Sequence, residues 1–270
     1  MNARSSPWMI RTPSSARRHR LFCFPYAGGN AFAFARWQEA LDPSIEVCAI
    51  QAPGRGARIG EAPIDSLPAL LRAVAPEVAR LDDLPFSFFG HSVGALVAFE
   101  LARYLRLHGM RLPEHLIVSG CQAPQFRSAP RGLHALDDAS FVNLLRLYAG
   151  TPPEVLENQE LMALLLPTIR ADFSLAENYR YRFSPLLPVP VSVFAGTHDE
   201  NKGAGQVDGW QKETSRACSI AWFEGGHFFL NEQRDRVLRC IESTLLPTGR
   251  SATAAHDVSS STHALHTHST

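Results

Sequence analysis

The run Pro85-Phe86-Ser87-Phe88-Phe89-Gly90-His91-Ser92-Val93-Gly94-Ala95-Leu96-Val97-Ala98-Phe99-Glu100 leaves this chain few ways to fold. An apolar, aromatic segment of strand length enters Gly-x-Ser-x-Gly, and an apolar, helix-forming segment leaves it. That is the pattern of a strand reversing sharply into a helix with a serine at the apex. Side chains at positions 90 and 94 would strike neighbouring backbone in so tight a turn, and glycine removes the Cβ that strikes. The turn lifts the Ser92 hydroxyl above the sheet edge, at the amino end of the next helix. Backbone N–H groups and the helix dipole there favour a developing negative charge.

The rest of the chain supplies the sheet such a turn needs. Strand-like segments are expected at residues 21–26, 46–51, 86–90, 116–121, 190–196 and 219–224, and helices at 32–41, 67–81, 95–107 and 232–245. Their alternation argues for an α/β fold with a mostly parallel central sheet flanked by helices. The strands read as continuous apolar runs, as expected for strands buried on both faces. Pro76 is expected to kink or interrupt the second helix.

Between Cys121 and Pro190 the rhythm breaks into helical patterns alone, at residues 139–147, 160–166 and 168–181, with Pro152, Pro153 and Pro167 as punctuation. Leu161, Leu164, Leu165, Ile169, Phe173 and Leu175 make a greasier surface than one helix face requires. Packing against the sheet domain would account for it. A helical lid over residues 125–188, with an apolar underside lining an acyl pocket, is the preferred reading because the insertion stands ahead of the acid-bearing strand. The expected organisation is a lead-in at 1–18, one domain at 19–247 carrying this lid, and a disordered tail at 248–270 rich in Ser, Thr, Ala and His. The histidines of that tail, His256, His263, His266 and His268, are not expected to form a metal site.

Ser92 needs a base, and the base needs an orienting carboxylate. Glu224-Gly225-Gly226-His227-Phe228-Phe229 follows the last strand, where the glycines allow His227 to be placed over Ser92. The preceding strand runs into Thr197-His198-Asp199-Glu200, and Asp199 is preferred to Glu200 because it lies nearer the strand end. The chain order Ser92, Asp199, His227 is that of α/β-hydrolases. An oxyanion hole needs N–H groups aimed at one point. The Val93 amide is one candidate and Ala27, in Phe24-Pro25-Tyr26-Ala27-Gly28-Gly29-Asn30, is the other. His91 is expected to shape the turn, His198 to be a loop residue, and Cys121 to be a core thiol.

Composition closes off other classes. Twenty-six basic residues balance twenty-six acidic ones, so no global field draws the chain to nucleic acid or membrane. No apolar run approaches membrane-spanning length. The five cysteines are odd in number, without CxxC spacing, and fit reduced thiols in a cytoplasmic protein. The basic, acid-free first twenty residues lack an apolar h-region and read as an untargeted lead-in.

Several spaced motifs together resemble the type II thioesterases, free-standing editing enzymes of nonribosomal peptide and polyketide synthases. They are Leu21-Phe22-Cys23-Phe24-Pro25-Tyr26-Ala27-Gly28-Gly29, Pro53-Gly54-Arg55 with Arg58 behind it, the turn around Ser92, Arg170-Ala171-Asp172-Phe173, Trp210, and Gly225-Gly226-His227-Phe228-Phe229. The resemblance spans residues 8–246 and departs at Gly56, at Val93 and at Gly196-Thr197-His198. It implies a Ser92–His227–Asp199 triad, Ala27 and Val93 as oxyanion donors, and a lid-helix motif at 170–173. It also implies hydrolysis of acyl thioesters from the phosphopantetheine arm of an acyl or peptidyl carrier protein, without a cofactor or metal of the enzyme's own. Acidic carrier proteins would suit a basic rim, for which Arg55, Arg58, Arg127 and Arg131 are candidates. A monomer is the expected state. The competing readings are a generic carboxylesterase or lipase on the same fold, and a non-catalytic binding protein.

Overall fold

The computed structural model describes residues 6–246 except 14, 128–129, 149 and 200–203. The tail at 248–270 with its histidines, and Glu200, lie outside the described residues. Among the described residues seven strands form one sheet: β1 Met9–Arg11, β2 His19–Phe24, β3 Ile45–Ile50, β4 Phe86–His91, β5 Leu116–Ser119, β6 Val191–Gly196 and β7 Cys218–Phe223. Their spatial order is β1-β3-β2-β4-β5-β6-β7. Every neighbouring pair is parallel except β1 with β3. The helices are α1 Trp37–Ala40, α2 Leu67–Ala79, α3 Val93–Leu107, α4 Asp138–Tyr148, α5 Pro153–Glu157, α6 Gln159–Glu177, α7 Ala204–Asp208, α8 Phe229–Glu232 and α9 Arg234–Leu245.

Alternation along each central strand divides the core into two layers. In β2, Phe22 and Phe24 join Phe88, Val74, Leu96 and Phe99 under α2 and α3. Leu21 and Cys23 point the other way, toward Trp37, Phe89, Val237 and Ile241 under α1 and α9. All five cysteines are free thiols.

Four local expectations change. Residues 9–11, placed in the lead-in, instead pair antiparallel with β3, Met9 opposite Ile50 and Arg11 opposite Cys48. A segment this short carries too little periodicity to be read as a strand. The outer strand β7 is only half-buried, because no strand covers its far side. The helix expected at 32–41 is split into a 3₁₀ turn, Ala31–Phe34, and α1. Neither Pro76 nor Pro167 breaks its helix, since α2 and α6 run through them. Each proline is exposed, and so are Arg72 and Ala163, whose carbonyls lose a partner to the missing N–H. A carbonyl at an exposed position is open to water, so losing its partner there costs less than in a buried helix.

The insertion between β5 and β6 has an apolar cluster of its own, built from Phe141, Leu145, Leu156, Met162, Leu166 and Ile169. Helix α6 serves both regions. Its residues Met162, Leu166 and Ile169 serve the insertion, while Leu175 belongs to the sheet core.

Candidate active site

The β4–α3 junction is as tight as the glycine pattern demands. A Cβ at Gly90 would lie 2.2 Å from the Gly94 carbonyl oxygen, and one at Gly94 would lie 2.2 Å from that of Phe24. Backbone therefore approaches backbone at the C-terminal edge of β2 and β4. Ser92, at the apex, has φ 57° and ψ −119° and is the only non-glycine residue with positive φ among the described residues. Its own N–H donates to the Ser119 carbonyl at 2.8 Å, which ties the strained turn to β5. Val93 begins α3, so its N–H has no acceptor within the helix and is left for another anion.

His227 lies in the loop after β7, and Asp199 in the loop after β6. The Nδ1 of His227 and Oδ2 of Asp199 are 2.8 Å apart, with Asp199 buried. With Nδ1–H donated to the carboxylate, Nε2 is the nitrogen free to take up a proton. The ring is held by aromatic neighbours: Phe228 packs edge-on against it at 5.0 Å between centroids, and His91 lies 5.0 Å away on another side. His91 is fully buried, with Nδ1 2.9 Å from the Ser119 hydroxyl, so it supports the turn from below as expected.

Ser92, His227, Ala27 and Val93 open into one cavity of about 360 Å³, whose roof includes Tyr148 and Phe173 of the insertion. Asp199 stands behind His227. The Tyr26 phenol also lines the cavity, and burial pushes its pKa up. Arg127 and Arg131 reach the cavity, but the other candidates for a basic rim do not. Arg55 is buried, with both terminal nitrogens on Asp172. Arg58 is buried too, paired with Glu61 at 2.6 Å and stacked over Trp8. Folding brings Asp172 to Arg55 and Trp8 under Arg58, whose carboxylate partner is only three residues away, so neither is a rim charge. Cys121 is a buried thiol just beyond β5, its carbonyl accepting from the Trp210 indole at 2.9 Å.

Two features lay beyond sequence reasoning. At Gly56 a Cβ would lie 1.9 Å from Nε2 of Gln51, and that amide bridges the Arg55 carbonyl and the Ala31 N–H. Asp172, read only as part of a motif, accepts the Gly28 N–H at 2.8 Å as well as Arg55. The motifs holding Gly28, Arg55 and Asp172 were each visible, but nothing in their spacing pairs them.

A parallel α/β sheet with a strained serine on the turn after a central strand, and a carboxylate-bound histidine beside it, defines a serine hydrolase of the α/β-hydrolase fold. Residues 19–245 match the thioesterase domain family, and the chain belongs to it. It is 42% identical over 228 residues to the gramicidin S biosynthesis protein GrsT of Aneurinibacillus migulanus, covering 84% of this chain and 89% of that one. Among solved structures it is similar to the type II thioesterase BorB from the borrelidin biosynthetic cluster. That match has a TM-score of 0.83 and 36% identity, over 90% of this chain and all of the other. It is also similar to YbtT, the type II thioesterase of the yersiniabactin NRPS/PKS pathway, with a TM-score of 0.77 and 34% identity over 87% and 96% of the two chains. Among the described residues no helix is long and apolar enough to cross a membrane.

Proposed function

We propose that this thioesterase hydrolyses acyl groups from the phosphopantetheine arm of acyl or peptidyl carrier proteins, in the cytoplasm, and so clears mis-primed or stalled synthases. The observation that carries the reading is the shared cavity of Ser92 and His227, the latter bonded to Asp199, in a chain of the thioesterase family.

His227 Nε2 takes the Ser92 proton as Oγ attacks the thioester carbonyl. The Ala27 and Val93 amides hold the resulting oxyanion, and Asp199 stabilises the imidazolium. The C–S bond breaks, the arm leaves as a thiol protonated by His227, and an acyl-Ser92 ester remains. Water then adds to that ester with His227 as base, releasing the acid and restoring Ser92. These steps use groups of the chain and water alone. The insertion acts as a lid: its apolar roof over the cavity accepts the acyl chain, and Arg127 and Arg131 give the cavity a basic side for an acidic partner.

The test is to load a carrier protein with acetyl-phosphopantetheine and follow its intact mass with wild type and with Ser92→Ala. Deacylation by wild type alone, faster than cleavage of a matched oxygen ester, is the expected result. Turnover of the oxygen ester with carrier-bound acyl groups of every length left intact would point to a generic esterase instead.

A further inference from the structure

The insertion does more than roof the cavity. The loop carrying Ala27 is gripped by α6 at several points. Asp172 Oδ2 accepts the Gly28 N–H at 2.8 Å. The same carboxylate is clamped by Arg55, with Nη1 to Oδ2 at 2.9 Å and Nη2 to Oδ1 at 2.8 Å. Arg55 Nη1 also donates to the Gly29 carbonyl at 3.0 Å, so one guanidinium spans the loop and the carboxylate. One helical turn before Asp172, Ile169 packs over Gly28, where a Cβ would lie 3.0 Å from its Cγ1. Beside it, the Thr168 hydroxyl donates to the Gly54 carbonyl, next to Arg55. Asp172 and Arg55 are both buried, at 3% and 7% exposure, so water competes little for these bonds.

The consequence lies in the Tyr26–Gly29 turn. Gly28 has φ +74°, and glycine takes either sign of φ at little cost. The Ala27–Gly28 peptide is therefore free to flip unless something holds its N–H. The neighbouring plane, which carries the Ala27 N–H, is set by the turn that the Gly29 N–H closes on the Tyr26 carbonyl at 2.9 Å, so its aim at Ser92 depends on where that whole turn is anchored. Asp172 supplies the hold, and Arg55 keeps the carboxylate aimed.

We propose that Asp172, clamped by Arg55, is a positioning residue for the oxyanion hole: through the Gly28 N–H it anchors the Tyr26–Gly29 turn so that the Ala27 N–H faces the Ser92 side of the cavity. Because Asp172 sits on α6, the donor is in place only while the insertion is seated on the Gly28 loop. Displacing the insertion to admit a substrate disarms the hole, and reseating it re-arms it. This deepens the hydrolase reading above and rests on it for the role of Ala27.

The full chain bearing Asp172→Asn tests the idea with two readouts. One is kcat and KM on a p-nitrophenyl ester and on the acetylated carrier. The other is affinity for phenylboronic acid, whose tetrahedral adduct on Ser92 places an oxygen in the hole. The expected result is a fall of about 10- to 10²-fold in kcat with KM changed less than about 3-fold, and a parallel fall in boronate affinity. That is less than the about 10²–10³ lost when a donor is removed outright. Arg55→Lys keeps the charge but loses the two-pronged clamp, so it gives a smaller, still parallel loss; it also serves if Asp172→Asn does not fold. Unchanged kcat overturns the proposal, and so does a loss of kcat with boronate affinity intact, which marks a packing role only. If wild type cleaves the ester but leaves the carrier acylated, the substrate reading fails, while the boronate comparison still decides the role of Asp172.

Discussion

The turn that carries Ser92 and the insertion that roofs it are held by opposite means. The turn rests on backbone pressed against backbone, at distances that only glycine permits at positions 90 and 94. The insertion rests on side chains: a cluster of six buried apolar residues, the Arg170–Asp138 ion pair at 2.6 Å, and the Asp172–Arg55 clamp. Backbone contacts of the first kind have no softer alternative geometry, whereas side-chain contacts can part and re-form. The molecule thus sets Ser92, the proposed nucleophile, in the rigid part and places the cover, together with the anchor for one proposed oxyanion donor, in the separable part.

The hardest blow to this contrast is Gly94→Ala. A methyl group 2.2 Å from the Phe24 carbonyl oxygen forces β2 and α3 apart, and a loss of about 4 kcal/mol or more is expected in denaturant unfolding. A well-folded, active Gly94→Ala protein would show that the turn is far softer than its contacts imply. Phe141→Ala attacks the insertion at its fully buried centre, where Arg170 also stacks on the ring at 4.4 Å. Its expected cost of about 3–5 kcal/mol should fall on the insertion alone. Hydrogen exchange should rise across residues 138–177 while β2, β4 and β5 stay protected; uniform loss of protection would mean that the two regions unfold as one.

Acid should do the reverse and weaken the sheet. His19 and His115 lie at the end of the sheet opposite Ser92, and burial pushes both down to about 4. The unfolded chain binds protons at these sites between pH 6.5 and 4, whereas the folded one does not. Their contribution is complete above about pH 6.5 and is lost as the pH falls toward 4. Tm should therefore drop steadily over that window, and His19→Gln should flatten part of the slope. A Tm that stays level from pH 7 to 4.5 would contradict the burial of these rings. The smallest effect is expected from Leu164→Gln on α6, a side chain 53% exposed on the outside of the insertion. A change within about 0.5 kcal/mol in stability is expected, with kcat/KM for the ester unaltered. A larger loss would place Leu164 in a contact that the isolated chain does not show.

Much of this was legible before folding is considered. Residues 86–100 announce a strand, a turn and a helix because glycine at 90 and 94 has a local steric meaning. The Gly225-Gly226-His227 loop and the segment ending at Asp199 follow strand-like runs, and the structure brings both residues together at 2.8 Å. What escaped were features with no local signature. Pro76 and Pro167 carry the same local signal as a helix break, yet α2 and α6 run through both, at positions where Arg72 and Ala163 are exposed. Arg55 looks like surface charge until Asp172 is brought to it, and Arg58 until its guanidinium is seated over Trp8.

By itself the sequence determined the class of sheet, the position of the Ser92 turn, the chain order of Ser92, Asp199 and His227 and the existence of a helical insertion. Each of those is encoded by residues close enough along the chain to constrain one another's backbone. Only the tertiary structure decided that β1 closes the edge of β3, that α6 belongs to both the insertion and the sheet core, and that Asp172 reaches the Gly28 loop. Arg55 and Asp172 stand 117 residues apart. No periodicity reports a contact across such a distance, because it depends on where whole helices come to rest against the sheet, not on the residues that flank either partner.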